Sequence, residues 1–506
     1  MAKTQKQRYV LNLKLNTKKY QEDILDKRFE IGRKLYNSVL GQVLKRYKEM
    51  TKTKRWRENQ NNILEVYKTE KDIKKRNKLC KSYFSIKNDM LKEFKINEYS
   101  LHSHIKNMQH KFKNNIDSFT AQKIASRVWI SLNDNLFGKG EEVHFKGINN
   151  PLNSLEGKSN NAGMRYKLET NMFSWNGLEI PTKLDINNKY EIDALRDKIC
   201  FCRVKRKFVR GKYKYILQLI LEGTPPIKVN QKTGEVENDI GIGACGIDIG
   251  TQTVAYTSDY DCKLLELAPR VQNIENEKRR LMRYMDRSKR ATNSNNFNED
   301  GTIKQGIKIE WKHSNKYIKA KNKLKDLYRK QADIRKQDHN IMANKILRNC
   351  DTVYVEEMNF KALQKRSKNT EKNDKGRFKK KKRFGKSLAN KAPAMFLTIL
   401  ENKLKAKGGL YYEINTKEVK ASQYNHLTQE YNKKKLSQRW NYFDYNGEQI
   451  KVQRDLYSAY LIKNVNDDLK SINNNSCIKD FNKFLGLHDK EIIRLRGLNN
   501  LSSMDI

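Results

Sequence analysis

Residues 244–258 read ACGIDIGTQTVAYTS, and this stretch decides how the second half of the chain folds. Ala244–Ile249 is a short apolar strand interrupted by a single carboxylate, Asp248. Gly250 ends it, and Thr253–Ser258 supplies a second strand. A carboxylate in an otherwise apolar strand is costly unless something compensates, and a metal ion does so. A glycine directly after it lets backbone approach a phosphate closely.

Two more acids stand in comparable places. Glu356 ends the strand TVYVE (352–356), and Glu357 follows it. Alternation along a strand sends these two side chains to opposite faces, so only one can meet Asp248. Glu356, which continues the strand, is the expected partner. Asp455 opens RDLYSAYLIKN (454–464), the start of an amphipathic helix. Taken alone it reads as a first-turn acid favoured by the helix dipole. Taken with the other two in a strongly basic chain, it reads as the third member of a carboxylate cluster. Such a cluster can hold two divalent cations about 4 Å apart, which stabilise the attacking and leaving oxygens of an in-line phosphodiester displacement.

The bulk composition agrees. The 506 residues hold 105 Lys or Arg against 58 Asp or Glu, a formal net charge of +47. A DNA-binding protein making roughly 6–10 phosphate contacts already binds tightly at low salt, so this excess implies a long polyanion or two. No apolar run of about 20 residues is present, and a membrane is not an expected partner. MAKTQKQRYVLNLKLN at the start lacks the apolar stretch of a signal peptide. Cys80, Cys200, Cys202, Cys245, Cys262, Cys350 and Cys477 form no CxxC pair and are odd in number. The expected setting is reducing, cytoplasmic and nucleoid-associated, with Cys200 and Cys202 as small buried apolar residues.

Tyr9, Leu11, Leu13 and Leu15 alternate with polar residues as a half-buried strand does. From about 18 to 130 the period turns helical, with Leu25, Phe29, Tyr36, Val39, Val43 and Tyr47 on one face and no Pro. Hairpins are expected at Asn176-Gly177 and Arg210-Gly211. A polar linker covers 226–243. Helices are expected over 268–347, broken by an Asn-rich loop at 291–306, and over 394–406, before a strand at 410–415. The stretch 365–386 holds 12 Lys or Arg and two acids and is expected to be a mobile loop. A polar segment then runs to 450, followed by a final helix from about 455.

GIDIG (246–250), VYVEEMNF (353–360) and QRDLYSAYL (453–461) together resemble the three RuvC motifs of TnpB-type transposon-encoded RNA-guided nucleases, motifs shared by type V CRISPR effectors. LYNSVL (35–40) is similar to that family's first recognition-lobe helix. AMFLTILENKLKAKGGLYYEI (394–414) and KKLSQRW (434–440) are similar to segments before and within its zinc ribbon. The resemblance implies a multidomain α+β protein. A wedge-like β-barrel (1–17 and 131–243) carries an inserted helical recognition domain (18–130). A ribonuclease H-like RuvC nuclease domain (244–414 and 451–470) carries a target-nucleic-acid-binding insert (415–450), and a C-terminal extension covers 471–506. It implies Asp248, Glu356 and Asp455 as catalytic Mg²⁺ ligands, two ions with Mn²⁺ able to substitute. The implied partners are a guide RNA and target double-stranded DNA, with one chain per guide RNA. It brings Arg439 near the cleavage site, either as a contact to the scissile phosphate or as a plain surface arginine.

The chain departs from the family pattern in two places, one of them Tyr457-Ser458, where the family helix usually reads Asn-Ala. The region matching 422–450 usually carries two CxxC pairs, whereas SQYNHLTQEY and WNYFDYNG hold no cysteine and one histidine, His426. Four N or S ligands cannot be assembled, so no zinc site of the usual kind is expected. Tyr424, Tyr431, Trp440, Tyr442 and Phe443 are expected to hold the segment by packing. His339 is expected to be a helix-packing residue. Three other readings remain open on sequence. GIDIGTQTVA also resembles the phosphate loop of sugar kinases and actin-like ATPases. A guide-directed DNA-binding regulator without cleavage would be expected to have lost one of the three acids, and a strand-transferring transposase could use the same acids, although the barrel and helical lobe resemble those of guide-RNA binders.

Overall fold

The computed structural model describes residues 7–136, 142–147, 150–230, 232–366, 369–372, 376, 384–435 and 438–497, so most of the basic stretch 365–386 lies outside the described residues. The chain is a mixed α+β protein of two compact units, Met1–Gln231 and Lys232–Ile506, divided within the expected polar linker. Among the described residues no helix is long and apolar enough to cross a membrane.

The first unit begins with β1 (Arg8–Leu15), where Tyr9, Leu11, Leu13 and Leu15 are buried and their neighbours exposed. Five helices follow: α1 (Lys19–Thr51), α2 (Lys54–Thr69), α3 (Ile73–Glu93), α4 (Glu98–His110) and α5 (Ser118–Leu136). The helical face read from the sequence is the buried one, including Leu25, Phe29, Tyr36, Val39 and Val43, while Tyr47 packs partly buried against it. Thr53, Asp72 and Asn97 cap the next three helices by accepting from backbone N–H groups. The chain then returns to strands: β2 (Ser154–Glu156), β3 (Arg165–Lys167), β4 (Met172–Trp175) and β5 (Leu178–Lys183). A short α6 (Lys189–Ala194) precedes the long β6 (Ile199–Val209) and β7 (Lys212–Glu222). Both expected hairpins form, with positive φ at Asn176, Gly177, Arg210 and Gly211, as tight two-residue turns require. The sheet order is β2-β6-β7-β1-β5-β4-β3, so β1 sits mid-sheet although helices separate it from every partner in sequence. The expected barrel is a curled half-barrel, because among the described residues no ladder joins the edge strands β2 and β3. Cys202 is buried as expected, but Cys200 is only half-buried.

The second unit is built on β8 (Ala244–Ile249), β9 (Thr253–Ser258) and β10 (Cys262–Glu266), followed by α7 (Gln272–Thr292) and α8 (Asn315–Leu347). Then come β11 (Thr352–Glu356), α9 (Phe360–Leu363), α10 (Gly385–Lys391), α11 (Pro393–Ala406), β12 (Leu410–Ile414) and α12 (Thr416–Val419). The remainder is β13 (Tyr424–Asn425), β14 (Glu430–Tyr431), β15 (Trp440–Tyr445), β16 (Glu448–Gln453), α13 (Arg454–Lys463) and α14 (Asn474–Arg496). The five-stranded sheet runs β10-β9-β8-β11-β12, with β8, β11 and β12 mutually parallel and β9 antiparallel to its neighbours. Parallel strands are covered on both faces. Cys245, Ile247, Ile249, Val353 and Val355 face a core shared with Ala343, Ile346, Phe396 and Leu400. The other face meets Leu456, Tyr457, Tyr460, Phe481 and Phe484.

Among the elements of this unit that the sequence alone did not lead us to expect are the strand β10, the hairpin β15–β16 and the helix α14. The polar segment before 450 contains the hairpin β15–β16, turned at Asn446-Gly447 with positive φ at both. The helix α14 follows the one expected to be last, and it buries Cys477, Phe481, Phe484, His488 and Leu495.

Candidate functional site

Strand alternation assembles the site. Cys245, Ile247 and Ile249 are in the core beneath α8 and α11, so Gly246 and Asp248 take the opposite face. On β11 the same parity puts Val353 and Val355 in that core and leaves Tyr354 and Glu356 on the face of Asp248. The parallel register pairs Val355 with Ile247, so Glu356 and Asp248 are the next residues on adjacent strands. Glu357, at the other parity, is exposed.

The helix α13 supplies the third acid. Its N-cap is Gln453, whose side chain accepts from the Leu456 N–H at 2.8 Å. Asp455 is therefore not spent on capping. The helix lies directly against β8 because residue 246 has no side chain: a Cβ there would stand 2.1 Å from the Ala459 carbonyl oxygen and 2.3 Å from the Lys463 nitrogen. Gly246 is a functional residue that sequence reading missed, having credited the other glycine of GIDIG. At Gly250 a Cβ would meet nothing nearer than Thr253 Oγ1 at 3.3 Å.

Asp248, Glu356 and Asp455 line one cavity of about 530 Å³ together with Arg439 and Arg454, Lys433 and Lys434. Acids and cations thus share one wall system. Among the described residues no three His, Cys, Asp or Glu side chains converge into a finished metal cage. Two of the three, Asp248 and Glu356, have carboxyls pushed upward. Burial first, then the charges of Asp455 and Glu356, push the Asp248 carboxyl well above the ordinary carboxylate range. The Ser458 hydroxyl and Arg454 pull it back only in part, and the Ser458 hydroxyl makes no geometrically sound hydrogen bond. Burial raises Glu356 to about 7, and its Oε1 is buried with no hydrogen-bond partner. Asp455 accepts from Arg454 Nε at 3.2 Å and Nη2 at 3.1 Å, while Arg454 Nη1 donates to the Gln438 carbonyl at 3.2 Å. Burial and the neighbouring Arg454 lower the pKa of Lys434.

The segment after β12 is held by aromatic packing in which Tyr424, Tyr431, Trp440 and Phe443 take part as expected and Tyr442 does not. Tyr424 and Tyr431 pair with ring centroids 4.8 Å apart, and Phe443 meets Tyr457 at 5.0 Å. Tyr442 is exposed, because β15 turns it to the solvent face. Much of the packing comes instead from α13 and α14: Tyr460 stacks on Phe484 at 4.4 Å, and Phe481 lies edge-on to His426 at 4.4 Å. His426 is fully buried, shares a 2.7 Å hydrogen bond between Nδ1 and the Tyr457 hydroxyl, and is pushed down to about 4 by burial. His339 is equally buried, with Nε2 2.8 Å from the Lys391 carbonyl and its ring against Phe396. It packs α8 on α11, as expected.

No protein-family model matches the chain, and no curated protein matches it. Among solved structures the chain is similar to a cryo-EM structure of the Cas12f1–sgRNA–target DNA complex, at 11% identity and a TM-score of 0.42, over 91% of this chain and 99% of that one. It is also similar to a cryo-EM structure of a CRISPR–Cas12f ternary complex, at 14% identity and a TM-score of 0.23, over 89% of this chain and 86% of that one. Similarity of this depth carries no weight for the chemistry, which rests on the residues described above.

Proposed function

We propose that the chain is an RNA-guided DNA endonuclease whose cutting site is the cavity between β8, β11 and α13. What carries this reading is the meeting of Asp248, Glu356 and Asp455 in one cavity with four Lys or Arg side chains, in a chain of net charge +47. The strand order, with three parallel strands and one antiparallel pair at the edge, supports a ribonuclease H-like assignment for the second unit. The donor set fits a hard divalent cation: it is all carboxylate, with one buried oxygen lacking a partner. Asp248, Glu356 and Asp455 would hold two Mg²⁺, with Mn²⁺ able to replace it, and such ions supply charge stabilisation to the attacking and leaving oxygens. Arg454 orients Asp455. Lys433, Lys434 and Arg439 line the same cavity and are placed to take phosphate oxygens of the strand being cut. A sugar-kinase reading of GIDIG gives Asp455 no reason to share that cavity. The reading takes a guide RNA and target DNA as partners, with one chain per guide RNA.

Guide RNA is tested directly. Protein purified at low salt should carry a bound structured RNA, and stripping it at high salt should leave a poorly behaved protein, since phosphate contacts weaken steeply with salt. An absorbance ratio of free protein, with nothing extractable, counts against the reading. No zinc is required in it, because aromatic side chains pack the segment 422–450. A zinc-selective chelator should leave activity unchanged, and elemental analysis should find no stoichiometric zinc.

Metal binding has a readout that does not depend on cutting. Glu356 titrates near 7 in the folded protein against about 4.3 in an unfolded chain. An acid whose folded pKa is raised costs stability, and the cost grows as pH rises from the unfolded value through the folded one. The metal-free protein should therefore lose on the order of 3 kcal/mol between about pH 4 and pH 8 from this group alone. Mg²⁺ should raise the melting temperature more at pH 8 than at pH 6. An equal shift at both pH values would show that the ion binds elsewhere.

A further inference from the structure

The hairpin of α7 and α8 ends in an ordered loop with no part in the site above. Asn293 staples its two ends: Nδ2 donates to the carbonyls of Lys289 at 2.8 Å and Lys312 at 2.9 Å, and Oδ1 accepts from the Lys312 N–H at 2.7 Å. Arg290 Nη1 donates to the Gly301 carbonyl at 2.9 Å, and the Asn296 side chain to that of Glu310 at 2.8 Å. Inside the loop, Phe297 and Trp311 meet edge to face at 5.6 Å, with Lys289 Nζ 3.5 Å from the Trp311 ring centre. That cluster is the loop's own small core. Beside it, His313 stacks on Tyr317 with centroids 4.3 Å apart and planes within 4°. His313 is exposed, and so are Lys312 and Lys316 next to it.

The position of this platform follows from the topology. Arg270, just before α7, is hydrogen-bonded through Nε to Asp338 Oδ1 at 2.6 Å, so α7 starts level with the last third of α8. The residues of α8 that enter the sheet core begin at Met342. The rest of the hairpin projects past the sheet, by about 30 Å for the 21 residues of α7. It leaves from the end of β10, which runs parallel to β8, and hence from the same sheet edge as Asp248. The arm is basic throughout: α7 holds seven Lys or Arg against three acids, and residues 315–335 hold eight against two.

We propose that His313, stacked on Tyr317 and flanked by Lys312 and Lys316, is a landing platform for single-stranded DNA on its way to the cavity. A parallel aromatic pair with one open face extends its stack with an unpaired base, whereas the bases of a duplex are already stacked and closed to it. Neighbouring ammonium groups meet the backbone of the same strand. The proposal rests on the nuclease reading for the destination of that strand, but its test does not.

The test uses the full-length protein with its copurified RNA and the Asp248→Ala background, so that nothing is cut. The probe is an oligodeoxythymidine strand carrying one 5-iododeoxyuridine, irradiated and mapped by peptide mass. Crosslinks should fall on the peptide containing His313. His313→Ala should weaken binding of the strand by about tenfold, the size of one lost base stack, and abolish that crosslink. His313→Trp should restore both, because it keeps a ring and no titratable nitrogen. Duplex DNA should change less than twofold. Crosslinks elsewhere, or equal losses for strand and duplex, would overturn the platform while leaving the cavity assignment standing. Cleavage that survives Asp248→Ala overturns the cavity assignment and leaves the platform data readable.

Discussion

Asp248→Ala is expected to lower DNA cleavage by orders of magnitude while guide RNA and target binding persist. The residue sits on β8 between Glu356 and Asp455, and their charges together with burial hold its carboxyl far above the usual carboxylate range. Removing it relieves that strain, so the variant should be no less stable than the parent and should bind Mg²⁺ more weakly. Nothing in the basic surface changes, which separates chemistry from binding. Glu356→Ala and Asp455→Ala should behave alike. Glu357→Ala should keep cleavage, since its side chain is exposed and only its backbone groups bond to Ile414 and Thr416. The measurement is cutting of a guide-matched duplex beside a binding assay on the same preparations. Wild-type cutting by Asp248→Ala would end the nuclease assignment. Full binding with no cutting by the wild-type protein would leave the guide-directed regulator in its place.

Gly246→Ala should be the most damaging small substitution in the second unit. Its methyl would meet backbone atoms of α13 at 2.1 and 2.3 Å, and backbone in mid-helix cannot swing aside as a side chain can. Overpacking of a well-filled interior costs roughly 1–3 kcal/mol and occasionally more, and this contact belongs at the upper end. Pushing α13 off β8 also withdraws Asp455 from Asp248. The expected result is a melting temperature lower by about 5–10 °C together with loss of cleavage. Gly250→Ala, four residues on, should melt within about 2 °C of the parent, because its nearest new neighbour is 3.3 Å away. Equal melting temperatures for the two variants would show that α13 does not depend on the bare backbone at 246.

The sequence by itself determined the elements whose pattern is local. Period-two burial in β1, the buried face of α1, and the two hairpins at Asn176-Gly177 and Arg210-Gly211 are all legible from a few consecutive residues. So is the parity that separates Glu356 from Glu357, because alternation is a property of any extended chain. The Asn446-Gly447 turn carried the same kind of signal, but the polar run around it concealed a hairpin. The α14 pattern is also present in the sequence, in Cys477, Phe481, Phe484, His488 and Leu495 on one face.

Only the tertiary structure decided what lies beside what. That β1 pairs with β5 and β7 across the helical insertion depends on contacts far apart in sequence. The half-barrel rather than a closed barrel is a matter of whether two edges meet, which no strand records in its own residues. The aromatic packing around His426 draws on Tyr457, Tyr460, Phe481 and Phe484, from two helices outside the segment where packing was expected. The role of Gly246 is clearest of all: a missing side chain has no pattern, and its meaning is the helix that closes against it. The raised pKa values of Asp248 and Glu356 arise for the same reason, since desolvation is imposed by neighbours that only the folded chain brings near.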